Sequence, residues 1–306
     1  MNLKKLNYII TIAELQSFSK AASKLYISQP SLSQIVLNLE NDLGIQIFNR
    51  TTTPISLTYA GEKYIKTAKE IIRLSNNLQK EFSDISNMKK GKITIGITPL
   101  RGAFILPLIL PKFMEKYPGI EIKIVEGDDN LENYLIEGKV DLVFTSLPTT
   151  DKRINQELLY KERIMLSCKK GYLDDSYLLD GNSNVIDINK LNDINLILTK
   201  KGHRIRNFMD NMFNSHEFNP KILLETDNTS TAFRLATSGL GACFVSDMVI
   251  NTTKPIDEYD LFYIDDSNSK WSVAILYLKN SYLNIAEKYL IDLSKAVLND
   301  KMRNDF

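Results

Sequence analysis

Residues 17–61 read SFSKAASKLYISQPSLSQIVLNLENDLGIQIFNRTTTPISLTYAG, and this stretch decides how the chain begins. Phe18, Ala21, Ala22, Leu25, Ile27, Leu32 and Ile35 recur at the three- and four-residue spacing of amphipathic helices. Ala21 and Ala22 are small, as helices that cross closely require. Ser17 or Ser19 caps a helix through Leu25. Ser28 caps the next, with Pro30 in its first turn, where the missing N–H costs nothing. That helix runs to about Leu43 with Leu32, Ile35, Leu39 and Leu43 inward, and Gly44 stops it. Upstream, Leu3, Leu6, Ile10 and Ala13 mark a further helix. Gln46–Arg50, then 51–54, then Ile55–Leu57 read as strand, polar loop and strand.

Two short helices joined by a tight turn, the second polar on its outer side, form a helix-turn-helix. The leading residues Ser28, Gln29, Pro30 and Ser31, with outward Ser33, Gln34 and Asn38, are the expected contacts to double-stranded DNA. Such side chains donate and accept hydrogen bonds at base edges and phosphates, and the helix N-terminus attracts phosphate. Arg50 with Thr51, Thr52 and Thr53 would form a wing against the backbone. The same pattern also fits a small helical protein-interaction domain.

Thr58 begins a helix of roughly 58–88. Tyr64, Ala68, Ile71, Ser75, Leu78, Phe82 and Ile85 follow each other at alternating steps of four and three, a heptad seam. A partner chain along Tyr64, Ala68, Ile71, Leu78, Phe82 and Ile85 is the preferred reading, because the opposite face is rich in Lys and Glu. The other reading lays the helix on its own domain's core.

Composition agrees with a soluble globular chain: 306 residues, 43% hydrophobic, 25% charged. Two cysteines exclude a disulfide scaffold. The longest apolar stretch, 103–110, is far short of a membrane span and contains Pro107. Lys4 and Lys5 precede an apolar run, but Asn7 interrupts it, Glu14 ends it and no small-residue cleavage site follows, so a cytoplasmic location without a membrane partner is expected. Residues 1–90 hold 12 Lys and Arg against 7 Asp and Glu, whereas the rest holds 26 against 30. A basic head on an acidic body suits a polyanion at one end only.

From Lys92 the period changes. Lys92–Ile97, Ile120–Val125, Asp141–Thr145, Arg163–Cys168, Ile194–Leu198, Lys221–Leu224, Ala242–Val245 and Trp271–Leu278 read as short strands. Helical patterns at 101–116, 129–137, 203–215 and 229–238 separate many of them. This alternation indicates a mainly parallel α/β sheet. The expected organisation is a winged helix-turn-helix over 1–57, a linker helix over 58–90 and an α/β body over 91–306. The body divides into one lobe of 91–160 with 267–301 and another of 161–266.

The motifs in the head are specific. Ser17-Phe18-x-x-Ala21-Ala22, Ser28-Gln29-Pro30-Ser31-Leu32-Ser33, Leu39-Glu40, Leu43-Gly44, Phe48-x-Arg50 and Leu57-Thr58-x-Ala60-Gly61 together resemble the N-terminal winged helix of LysR-type transcriptional regulators. Lys116-Tyr117-Pro118-Gly119-Ile120, Gly138-x-x-Asp141-Leu142 and Gly239-Leu240-Gly241 echo the family's effector domain, which is similar to periplasmic binding proteins. The resemblance implies a homodimer or homotetramer. It also implies a small-molecule effector held between the lobes, where the loops at strand ends meet helix starts. By position, the effector residues would be Thr98, Pro99, Leu100, Asp128, Thr145, Ser146, Thr199, Gly202, His203 and Thr229. Thr98 and Thr229 could equally cap helices, and His203 could be an exposed helix-start residue. Lys200, His203 and Arg204 favour an anion, whereas Asp128, Asp129 and Asp227 favour an amine. A small carboxylate or amino-acid-like metabolite fits this mixture. Two departures stand out: Val36-Leu37-Asn38 occupy a place where the family is often basic, and the wing is Thr-rich. Each lost ion pair lowers the salt slope by about 0.9, so a shallow salt dependence follows.

No cofactor and no catalysis are expected. Cys168 and Cys243 lie 75 residues apart in predicted strands, which disfavours a redox switch. The two histidines have no Cys/His cluster for zinc, and there is no G-x-S-x-G or phosphate-loop motif. The main alternative is a small-molecule binding protein whose N-terminal helices mediate only oligomerisation.

Overall fold

Asn2, Ser17, Ser28 and Thr58 each accept a backbone N–H two or three residues on, and each starts a helix. These are α1 (Leu3–Leu15), α2 (Phe18–Leu25), α3 (Gln29–Leu43) and α4 (Tyr59–Ile85). Between α3 and α4 a hairpin joins β1 (Phe48–Asn49) to β2 (Ser56–Leu57). The computed structural model describes residues 2–86, 90–127, 130–179, 184–264 and 270–304. Its contacts divide the chain into two units, 1–87 and 88–306.

The first unit is cored by Tyr8, Ile9 and Ile12 of α1, Ala21 and Ala22 of α2, Leu32 and Val36 of α3, and Ile47 and Phe48 of the wing. This corrects two inward lines. On α1, Ile9 and Ile12 are buried, while Ile10 and Ala13 are only partly so and Leu3 is exposed. On α3, Val36 is buried, Ile35 and Leu39 are partly so, and Leu43 is exposed. Adjacent apolar residues allow two neighbouring stripes on one helix, and only the position of the packing partner chooses between them. The expected strand Gln46–Arg50 shortens to Phe48–Asn49. Gly44 ends α3 in the left-handed region, φ 66°. Gly61 is dictated by closeness: a Cβ there would stand 2.1 Å from the Ile47 carbonyl oxygen. Thr58 Oγ1 donates to Gln46 O at 2.6 Å, docking the start of α4 on the wing.

The second unit opens with β3 (Gly91–Ile97), α5 (Pro99–Lys116), β4 (Ile120–Glu126), α6 (Leu131–Ile136) and β5 (Leu142–Ser146). A long strand, β6 (Ile154–Lys169), leads into β7 (Val185–Ile186), β8 (Leu196–Thr199), α7 (Arg204–Ser215), β9 (Ile222–Thr226) and α8 (Thr229–Thr237). Then come β10 (Ala242–Ser246), α9 (Asp247–Thr252), β11 (Tyr259–Ile264), β12 (Lys270–Leu278) and α10 (Ile285–Asn304). One lobe has the order β4-β3-β5-β12-β6, and the other continues β6-β10-β8-β9 with β11 also against β6. Within this unit β3 is parallel to β4 and β5, and β8 to β9 and β10.

The sheet is mixed rather than mainly parallel. β6 and β12 run antiparallel to each other and to all their other neighbours, and β7 joins the edge of β11 in parallel. The short strand expected at Arg163–Cys168 is the second half of β6, whose first half, Ile154 to Arg163, pairs with β12. One strand thus carries both lobes. Its first half shows no regular alternation, with Leu158 exposed and Leu159 and Tyr160 buried side by side, and its partner lies more than a hundred residues away, so local periodicity does not reveal it. β7, α9 and β11 also lie outside the strands and helices that the sequence pattern predicts. Among the described residues no helix is long and apolar enough to cross a membrane.

Candidate functional site

The head presents one polar face. Ser28 Oγ accepts from Ser31 N at 3.3 Å and lies 2.7 Å from Ser31 Oγ. Gln29 Nε2 donates to Ser33 Oγ at 3.2 Å, and Gln34 Nε2 to Asn38 Oδ1 at 2.8 Å. Ser28, Gln29, Pro30, Ser31, Gln34 and Asn38 are exposed and Ser33 is half-buried. The i, i+4 bonds hold the amides in order along the helix and leave their remaining donors and acceptors outward. Arg50, expected with the wing against the DNA backbone, also has a partner within the head. Its Nη2 bonds Glu40 Oε2 at 2.9 Å, and Glu40 Oε1 accepts from Ile47 N and Phe48 N at 2.7 and 3.1 Å. Glu40 therefore pins the wing, and Arg50 serves that anchor while staying partly exposed. In the exposed wing loop, Thr51 N and Oγ1 donate to Asn49 Oδ1 at 3.1 and 2.6 Å, Thr52 Oγ1 lies 3.0 Å from Ser56 Oγ, and Thr53 is also exposed.

Along α4 the expected seam splits in two. Ala68 is buried within its own unit and Tyr64 packs partly on the head core, because the start of α4 lies against α1. Ile71 is half-buried. Further on, Leu78, Phe82 and Ile85 are 48%, 58% and 72% exposed. Leu74, which the heptad omitted, is exposed beside them.

In the second unit a cavity of about 240 Å³ lies where helix starts converge from both lobes. Thr98, Pro99 and Leu100 bring the start of α5 to it, Thr145 and Ser146 the end of β5, His203 the start of α7 and Thr229 the start of α8. Thr98 makes no side-chain cap bond, and α8 is capped by Asn228 Oδ1, which accepts from Ser230 N and Thr231 N. His203 does stand at the helix start, half-buried, with Nε2 3.6 Å from Asp227 Oδ1. Thr199 and Gly202 do not line the cavity. Thr199 is buried and its carbonyl accepts from Arg206 Nη1 at 2.8 Å, while Gly202 turns the chain at φ 99°. Asp128 lies outside the described residues.

Sequence reading missed several lining residues. Ser246 and Met248 come from the β10–α9 junction and Trp271 from β12, both remote in sequence. Arg101 and Arg204 sit in the first turns of α5 and α7. Beneath the cavity, Glu162 is fully buried and accepts from Arg101 Nη1 at 2.8 Å, Tyr160 Oη at 2.9 Å and Trp271 Nε1. Burial pushes the Tyr160 phenol well above its ordinary pKa. At the rim, Lys200 Nζ bonds Asp227 Oδ2 at 2.6 Å and holds that carboxyl below the usual carboxylate range. Nearby, burial pushes the Asp247 carboxyl up, against the Arg163 N–H that donates to Oδ2 at 2.8 Å.

The cysteines occupy separate cores. Register pairs Ala242 with Cys168 and Cys243 with Ser167, so the two thiols lie on opposite sides of the sheet. Burial pushes Cys168 up to about 12 and Cys243 higher.

A capped helix-turn-helix with a wing, and a two-lobed α/β body with a cleft, define a DNA-binding regulator with a ligand-binding domain. Comparison with known proteins makes this particular. Residues 3–62 match the family described as "Bacterial regulatory helix-turn-helix protein, lysR family", and residues 86–299 match "LysR substrate binding domain". The chain is 30% identical over 312 residues to the uncharacterised HTH-type transcriptional regulator YcgK of Bacillus subtilis (strain 168), covering 97% of this chain and 95% of that one. Its fold is similar to that of a full-length OxyR variant from Pseudomonas aeruginosa, with TM-score 0.72, 22% identity and 98% and 95% of the two chains covered. It is also similar to full-length CbnR complexed with target DNA, with TM-score 0.62, 19% identity and 96% and 100% covered. The chain belongs to the LysR family of transcriptional regulators.

Proposed function

We propose that this regulator reads DNA through the α3 face at Ser28, Gln29, Ser31, Gln34 and Asn38, with the Thr51–Thr53 loop against the backbone. Two copies pair along Leu74, Leu78, Phe82 and Ile85, so that two heads address two half-sites. Bodies pair again if a tetramer forms. A small carboxylate or amino-acid-like metabolite occupies the cavity between the lobes and shifts their angle, which alters the spacing of the heads. Coupling of about 1–3 kcal/mol suffices, provided the metabolite prefers one arrangement. The protein works in the cytoplasm, where its DNA is.

The observation that carries this reading is the convergence of the α5, α7 and α8 starts on one cavity, in a chain whose head is a helix-turn-helix. Helix starts present unpaired N–H groups and a partial positive charge, which suits a small anion. The test is a gel shift of the full chain on its own upstream DNA, with and without metabolites chosen by thermal shift. Specific retardation that a small acid modulates is the expected result. Stabilisation confined to neutral or bulky apolar compounds would remove the carboxylate.

A further inference from the structure

The cations that sequence reading assigned to an anion already have partners. Lys200 and His203 face Asp227. Arg204 Nη1 donates to Ser146 O at 2.6 Å and Pro148 O at 3.4 Å, and its Nη2 bonds Glu132. Arg101 differs. It lines the cavity yet is only 4% exposed. Among the described residues its bonds all run from Nη1, to Glu162 Oε1 at 2.8 Å and Tyr160 Oη at 3.3 Å. Among the described residues, the buried side-chain polar atoms left without a hydrogen-bond partner are Ser167 Oγ and Asp247 Oδ1. Arg101 Nε and Nη2 thus make no hydrogen bond to the described residues, in a side chain that lines the cavity.

The geometry points to Arg101 as the side chain that binds the effector's carboxylate, with Glu162 as its positioning residue. Glu162, itself held by Tyr160 and Trp271, grips the guanidinium by one corner. The side edge that stays open, Nε with Nη2, is the two-donor fork that matches a carboxylate. Arg101 and Glu162 cancel in charge, so the bound anion is balanced by the converging helix starts instead. Around the fork, Leu100, Ile205, Met248 and Trp271 supply an apolar wall. The ligand class is therefore a monocarboxylate with a short apolar body. The assignment rests on the proposed role of the cavity as the effector site.

The test is calorimetric titration of the full chain with 3-methylbutanoate and phenylacetate, each beside its primary amide, which has nearly the same shape without the charge. For the wild type, the acids should bind about tenfold or more tighter than the amides, as hydrogen bonds to a charged group imply. Arg101→Met should abolish that preference. Arg101→Lys should keep part of it, since the charge survives and the fork does not. Trp271→Phe, which removes one donor to Glu162 and trims the apolar wall, should weaken acid binding more than amide binding. Melting curves by circular dichroism establish that each variant is folded, and Arg101→Lys stands in if Arg101→Met is not. Equal binding of acid and amide, no binding of either acid, or an undiminished preference in Arg101→Met would overturn the assignment. The cavity's own role fails by a separate result, if Ile205→Trp, which fills the space, leaves all binding unchanged.

Discussion

On the head, Gln29, Ser31, Gln34 and Asn38 stand on less than three turns of one helix, all exposed. In the body, the cavity draws Thr98, Thr145, His203, Thr229, Ser246 and Trp271 from separate elements that span more than half of the chain. The two sites also use charge differently. The head's proposed reading face carries no Lys or Arg, and its Arg50 is tied to Glu40. The body buries a paired arginine and glutamate at its cavity. A DNA face works in water, where amides and hydroxyls are cheap to hold ready. A small ligand must be recognised out of water, where a fixed charged pair acts more strongly. On the proposed reading, one site is a surface that avidity makes effective, and the other is an interior that preorganisation makes effective.

This contrast is easiest to break through avidity. Leu78→Asp should split the pair and lower DNA affinity by about a hundredfold or more, the scale of lost bivalency, while the body's ligand binding stays unchanged. Sedimentation showing an intact dimer would reject the α4 seam. Next in size is Gly61→Ala. Its added methyl meets the Ile47 carbonyl, so the head should lose about 2–3 kcal/mol of stability, seen as an earlier melting transition with the body's transition in place. Gln34→Ala should then cost about 1–3 kcal/mol of specific DNA binding with no change in melting, measured by competition against unrelated DNA. An unchanged footprint would take the reading role from that face.

The smallest effect concerns Asp247. Its folded pKa lies above the unfolded value because burial disfavours the charge. The folded state therefore holds its proton more tightly, and stability falls as pH rises from the unfolded value through the raised one. Asp247→Asn keeps an acceptor for the Arg163 N–H and removes the charge. Its unfolding free energy should equal or exceed wild type at neutral pH and vary less across the acidic range. Chemical denaturation at several pH values checks this, and a less stable Asp247→Asn protein at neutral pH would contradict it.

Much of the head was legible in residues 17–61, because caps, turns and stripes are local: Ser28, Gly44 and Thr58 act on neighbours within a few positions. The choice between Ile9 and Ile10, or Val36 and Ile35, was not, since it depends on where the next helix sits. In the body, Thr98, Thr145, His203 and Thr229 were reachable from strand ends and helix starts. Arg101 was in plain view beside Thr98, but nothing local says which of several cations keeps its donors open.

The amino-acid order alone settled the caps, the helix-turn-helix and the alternation of strands and helices, since these are set by interactions along a few residues of backbone. Folding in three dimensions settled the rest. It made β6 one strand through both lobes, spent Lys200 and Arg204 on Asp227 and Glu132, and laid Glu162 under Arg101 from 61 positions away. Pairing of distant charges in a dry interior is decided by where the whole chain brings them, not by what stands next to them.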